Sequence, residues 1–243
     1  MHASTTLARP GLVPMHADWP SITTAFQPIV EASTGRIHAY EALVRGRDGT
    51  DAGAVLAAIP EPDRAAFDQH CRDVAVREAA ALRPDAPLGF NVRYVDSASC
   101  LAAVRATLAR ALQAGLGCEH LSFEITEAAR IVDPAALHAA AHRRGAEWRL
   151  LLDDFGTGRS GLALLEQLRP DGVKLDRVLV HGIADSAPGR AVVRRVVEVA
   201  GALGVEVIAK GVERRQDLDA LRDLGIALFQ GYLFAPPQVG RLS

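Results

Sequence analysis

The sequence predicts an α/β fold, a closed TIM-like (β/α)8 barrel with its first strand running antiparallel. Three observations predict it. Short apolar runs alternate with longer helical patterns from about residue 21 onward, as in strand–helix barrels. The length of 243 residues suits one large α/β barrel or two small domains, and the alternation over most of it favours the barrel. The first two apolar runs are joined by a turn around Ser33, Thr34 and Gly35, too short for a parallel crossover, so they form a hairpin.

Residues 1–20 contain Pro10, Gly11, Pro14 and Pro20 without periodicity and read as a flexible N-terminal leader; residues 21–243 read as a single barrel domain. The expected strands are Thr24–Glu31, Arg36–Val44, Leu88–Val92, Leu121–Thr126, Arg149–Asp153, Gly172–Asp176, Val205–Ala209 and Ala227–Leu233. The expected helices lie near Ala52–Ile59, Asp63–Leu82, Ser97–Ala114, Pro134–Arg144, Gly161–Leu168, Gly189–Leu203 and Arg215–Leu224. Asp133 before Pro134 is a helix-start signal, and Gly145, Gly204 and Gly225 stand where left-handed helix caps are common.

Composition limits the function classes. Apolar residues make up 49% and charged residues 23%, with a net charge of −2 and no basic block, so a nucleic-acid surface is not expected. Cys71, Cys100 and Cys118 form no C-x-x-C pair, and their odd number argues against a disulfide framework. His138 and His142 stand four apart on a helix, a spacing that can hold a metal, but no third ligand is evident nearby. The best candidate for a membrane helix, Ala191–Ala209, is broken by Arg194, Arg195, Glu198 and Glu206, so none is expected and the cytoplasm is the default location.

Barrel chemistry gathers where parallel strands end. Glu41, Asn91, Glu124, Asp153 with Asp154, Lys174 with Asp176, Lys210 with Glu213, and Gln230 stand at or near those ends. Strand ends meet water and collect polar residues anyway. Acids converging on one rim nevertheless repel one another unless a cation lies between them, and all-oxygen ligands select Mg²⁺, Mn²⁺ or Ca²⁺. Adjacent Asp153 and Asp154 can each address a different ion, the arrangement of a two-metal phosphoester hydrolase. Phe155 to Gly161 is glycine-rich and leads into a helix. It suits a phosphate cradle or a mobile loop over the metal site.

These residues resemble the EAL-domain family. Glu41-Ala42-Leu43-Val44-Arg45 is similar to the signature that names it, and Gln27-Pro28-Ile29 to its entry strand. Glu124-Ile125-Thr126-Glu127, Asp153 to Gly158 with Ser160, Lys174-Leu175-Asp176, and Gln230-Gly231-Tyr232 with Pro236 match further elements in order. The stretch from Glu41 through Cys71 looks especially like EAL domains of blue-light-sensor proteins. The resemblance implies cleavage of cyclic di-GMP to pGpG with two Mg²⁺ or Mn²⁺ ions. It implies Glu41, Asn91, Glu124 and Asp153 as ligands of one metal and Asp154 as a ligand of the second. Lys174 would steady the metal-bound water and the developing charge, Gln230 would help order the same region, and Glu127 would anchor the Phe155–Ser160 loop. Gln27, Leu43, Arg45 and Asp176 would hold the nucleotide. A homodimer through helices beside the Asp153–Ser160 loop is a further implication.

One departure matters most. The family reads E-G-V-E after its seventh strand, and this chain reads Lys210-Gly211-Val212-Glu213. A protonated lysine is no ligand for a hard cation; at ~5 Å and an effective dielectric of about 20 its repulsion of a divalent ion is roughly 6–7 kcal/mol. Arg93, where the family often has Ser, and Gly161, where a second Ser is common, are smaller departures. Three readings follow: a cyclic di-GMP-binding protein with hydrolysis strongly impaired by Lys210, an active phosphodiesterase, or a regulator that acts on an unknown protein partner without nucleotide.

Overall fold

The computed structural model describes residues 18–93, 97–126, 133–143, 148–158 and 161–242. Its first two strands, β1 (Ile22–Glu31) and β2 (Ile37–Gly46), form the expected hairpin, pairing antiparallel with Gln27 opposite Glu41. Helices α1 (Ala52–Ala57) and α2 (Arg64–Leu82) follow. Then come β3 (Leu88–Asn91), α3 (Ser97–Gln113), β4 (Leu121–Thr126) and α4 (Pro134–Ala141). They continue as β5 (Trp148–Phe155), α5 (Gly161–Leu168), β6 (Gly172–Leu175) and α6 (Arg177–Val180). The chain closes with α7 (Ala187–Leu203), β7 (Glu206–Lys210), α8 (Arg215–Asp223), β8 (Leu228–Gln230) and β9 (Gln238–Val239).

Strands β2 to β8 run parallel in chain order, and β1 joins β8 to β2 by antiparallel pairing with both, closing the barrel. The fold expected from the sequence is the one observed. Among these strands and α-helices, α6 and β9 lay outside that expectation. The single-turn α6 follows Asp176, whose side chain accepts the Val178 amide and caps it. The two-residue β9 adds to the β1 edge through Ala25 and Phe26. Strand β8 is shorter than expected, because at Gly231 the chain presses onto the Val212 backbone; a Cβ there would meet the Val212 carbonyl oxygen at 2.1 Å. Of the expected leader, residues 1–17 lie outside the described residues, whereas Trp19 packs edge-on against Phe67 of α2 at 5.3 Å between ring centroids.

Two apolar layers result from the two-residue period of the strands. Strand residues facing outward, including Phe90, Phe123, Leu150, Leu152, Val173 and Leu175, pack under the helices in the largest core cluster. Inside the barrel, Ile29, Ala39, Leu151, Ile208 and Leu228 form a separate buried plug. Two residues further toward the strand C-termini (toward the N-terminus in the reversed β1) the inward positions become Gln27, Glu41, Asp153, Lys210 and Gln230. The polar site therefore rests directly on the plug.

Candidate metal and nucleotide site

The centre of the polar layer is an ion cluster. Lys174, fully buried on β6, donates to Glu41 Oε2 at 2.6 Å and Glu124 Oε2 at 2.7 Å. Asn91 Nδ2 donates to Glu41 Oε1 at 2.9 Å, and Gln230 Nε2 to Glu41 Oε2 at 2.8 Å and to Gln27 Oε1 at 3.3 Å. Gln27 in turn donates to the Ala235 carbonyl at 3.0 Å. Glycine makes room on β3: a Cβ at Gly89 would come within 2.5 Å of Glu124 Oε1.

The charges set one another. Burial pushes the Glu41 carboxyl up, but the Lys174 charge and the bonds from Lys174, Gln230 and Asn91 outweigh it and hold Glu41 low. Glu124 is raised, first by burial and then by the neighbouring Glu41 charge. Burial opposes the Lys174 charge, yet Glu124, Glu41 and Asp153 together raise it. The single charge of Lys174 is thus shared between Glu41 and Glu124.

The arrangement fits a hard cation. Glu41, Glu124 and Asp153 each offer an oxygen within 4.8 Å of the others, and all three are buried. Asn91 Oδ1 and Glu124 Oε1 are buried acceptors without a hydrogen-bond partner. Acceptors are rarely left so in a protein interior, and a cation would satisfy both.

The second position differs. The β5–β6 register slips by one residue between Leu152 and Phe155, and Asp154 takes a left-handed backbone with φ 54°. Such a bulge re-aims neighbouring side chains. It lets the consecutive Asp153 and Asp154 reach the same group, which is Lys210. Its Nζ lies 2.8 Å from Asp153 Oδ1, forms a second ion pair with Asp154 Oδ1, and approaches Asp176 Oδ2 at 3.9 Å. Burial disfavours this ammonium, but Asp153 and Asp154 outweigh it and raise Lys210 above the ordinary lysine value. Asp153 and Asp154 thus share one ammonium.

The remaining expected residues are more peripheral. Leu43 and Arg45 are half-buried on β2, and Arg45 Nη1 donates to the Val44 carbonyl at 2.7 Å. Glu213 is exposed and pairs with Arg177 at 3.1 Å. Glu127, Arg159 and Ser160 lie outside the described residues, as does Gly145. His138 and His142 are in ring contact at 4.3 Å, each with Nδ1 at 3.0 Å from a backbone carbonyl. The sequence reading missed the buried Asp68–Arg72 pair of α2, which bonds to the backbone at Asn91 and Arg93. An acid and an arginine four apart, on a helix face packed inward, was its signal.

Known proteins resemble this chain along most of its length. The EAL domain model matches residues 18–237. The cyclic di-GMP phosphodiesterase NbdA of Pseudomonas aeruginosa is 33% identical over 87% of this chain and 28% of its own length. The blue light- and temperature-regulated antirepressor BluF of Escherichia coli is 28% identical over 87% of this chain and 53% of its own. The chain spans about a third of the length of the first curated relatives it matches. A standalone EAL protein from Vibrio cholerae, solved with c-di-GMP bound, superposes with a TM-score of 0.83 at 33% identity, covering 94% of this chain and 96% of that one. Klebsiella pneumoniae BlrP1, solved with manganese and cy-diGMP, gives 0.81 at 33% identity, covering 93% and 58%. The chain belongs to the EAL-domain family, whose relatives include cyclic di-GMP phosphodiesterases and structures with cyclic di-GMP bound. No helix among the described residues is long and apolar enough to cross a membrane.

Proposed function

We propose that this EAL-domain chain binds cyclic di-GMP at the barrel mouth with one hard cation, Mg²⁺ or Mn²⁺, and that Lys210 strongly impairs its hydrolysis. The ion pairs of Lys210 with Asp153 and Asp154 carry this reading. Glu41, Asn91, Glu124 and Asp153 would hold the cation. Such a cation would supply polarisation of a phosphodiester oxygen and a lowered pKa for a water. Lys174 keeps Glu41 and Glu124 together as the nucleotide enters, and Gln230 and Gln27 fix the Glu41 carboxylate from the other side. Arg45 suits a phosphate by charge and fork geometry, and Asp176 and Leu43 line the nucleotide's path. Lys210 spends its charge on the carboxylates that a second cation would need.

Two measurements test this. Calorimetry with cyclic di-GMP and Mg²⁺ or Mn²⁺ is expected to show binding; none at millimolar nucleotide would reject it. Cleavage to pGpG with Mn²⁺ is expected to be far slower than in Lys210→Glu, and equal rates would reject the impairment. An active phosphodiesterase is the second reading, supported by intact Glu41, Asn91, Glu124, Asp153 and Lys174 and by the activity in the relatives' names. A homodimer is also part of the proposal: Leu162 of α5, just after the Asp153–Ser160 loop, and Val178 of α6, whose neighbour Leu179 lies against Gly156 of that loop, expose 44% and 65% of their surface. Equilibrium sedimentation decides it.

A further inference from the structure

Strand β3 is four residues long and ends at Asn91. Its ladder to β2 stops at Phe90, so the Asn91 carbonyl needs another donor. Arg72 of α2 supplies it: Nη1 reaches Asn91 O at 3.1 Å. The same guanidinium pairs with Asp68, and its Nε and Nη2 donate to Thr107 Oγ1 at 3.1 Å and Gln69 Oε1 at 2.9 Å. Asp68 Oδ2 accepts the Arg93 amide at 3.1 Å. Between these anchors the Val92 amide donates to the Glu124 carbonyl at 2.8 Å. Three consecutive residues are thus pinned, two of them by one ion pair.

That pair is costly to bury. Arg72 and Asp68 keep only 3% and 2% of their exposure, and apolar replacements of such pairs are often neutral or stabilising. Packing alone does not explain it. Its bonds converge on the backbone that aims Asn91, whose Nδ2 is held by Glu41 and whose Oδ1 has no hydrogen-bond partner.

We propose that Arg72 and Asp68 are positioning residues for Asn91, locking its carboxamide so that Oδ1 faces the Glu41–Glu124–Asp153 oxygens. This rests on the reading of those oxygens as a cation site. Groups that orient metal ligands from behind typically change affinity by about 10–100-fold.

The test is a double-mutant cycle on Mn²⁺ affinity, measured on the whole chain by electron paramagnetic resonance. Arg72→Met is expected to weaken Mn²⁺ by roughly 10–100-fold, and Arg72→Lys to recover part of the loss. In an Asn91→Ala background the effect of Arg72→Met is expected to shrink to about twofold or less, because the ligand it aims is gone. Thr107→Val removes only one acceptor of Arg72. It should give a smaller loss with the same dependence on Asn91, and it carries the cycle if Arg72→Met does not fold. An equal loss with and without the Asn91 side chain would show a general structural effect and overturn the proposal, as would unchanged affinity in both variants. No Mn²⁺ binding by the wild type would instead overturn the cation reading, and this proposal with it.

Discussion

Lys210 Nζ lies 2.8 Å from Asp153 Oδ1, and Asp153 is one of the three buried carboxylates clustered at the barrel mouth. The lysine therefore pairs with both consecutive aspartates of β5. It takes Asp154 by a second ion pair and also draws charge from a carboxylate that the first cation would use.

Lys210→Glu should restore hydrolysis. A general base typically contributes 10²–10⁴-fold, so cyclic di-GMP cleavage with Mn²⁺ is expected to rise by at least about a hundredfold. Chromatographic assay of pGpG checks this, and a rise below about threefold would count against it.

Lys174→Met should be destabilising without metal and rescued by it. Removing the ammonium leaves Glu41 and Glu124 buried without their cation, a loss of about 3–5 kcal/mol. Mn²⁺ at a hundred times its dissociation constant should return roughly 2.7 kcal/mol. Chemical denaturation with and without Mn²⁺ measures both; equal stability of mutant and wild type without metal would contradict the ion cluster.

Gly89→Ala should disturb the site and spare the fold. The new methyl would meet Glu124 Oε1 at 2.5 Å and turn that carboxylate. Mn²⁺ affinity is expected to fall by about tenfold or more while far-ultraviolet circular dichroism stays unchanged. Unaltered affinity would show that the Glu124 carboxylate does not need its present orientation.

Asp217→Asn tests the fold away from the site. The Arg214 bond chiefly holds Asp217 low, at about 2 against an ordinary 3.8, with the Ala184 and Gly182 amides adding to it. A depressed folded-state pKa stabilises above the unfolded value and is lost as pH falls through the folded one. The wild type should exceed the mutant by about 2 kcal/mol at pH 7, with the gap closing between about pH 4 and pH 2. A gap independent of pH in thermal denaturation would refute the ionic origin.

Much of the site was legible because barrel strands alternate with period two. Once Leu151, Ile208 and Leu228 face inward, Asp153, Lys210 and Gln230 must face inward as well. The short turn at Ser33–Gly35 likewise made β1 antiparallel, since no parallel crossover fits so few residues. The helix after Asp176 was not legible: a single turn carries too little periodicity, and its start depends on one capping bond.

What the sequence determined alone is the barrel, its reversed strand and the set of acids and lysines at its mouth, because these follow from local periodicity and connection length. Tertiary structure decided which of those charges meet. The β5 bulge turns Asp153 and Asp154 onto one ammonium, Gly89 leaves space for Glu124, and Arg72 holds the end of β3. Such contacts join strands and helices far apart in the chain, so their geometry depends on how distant segments pair.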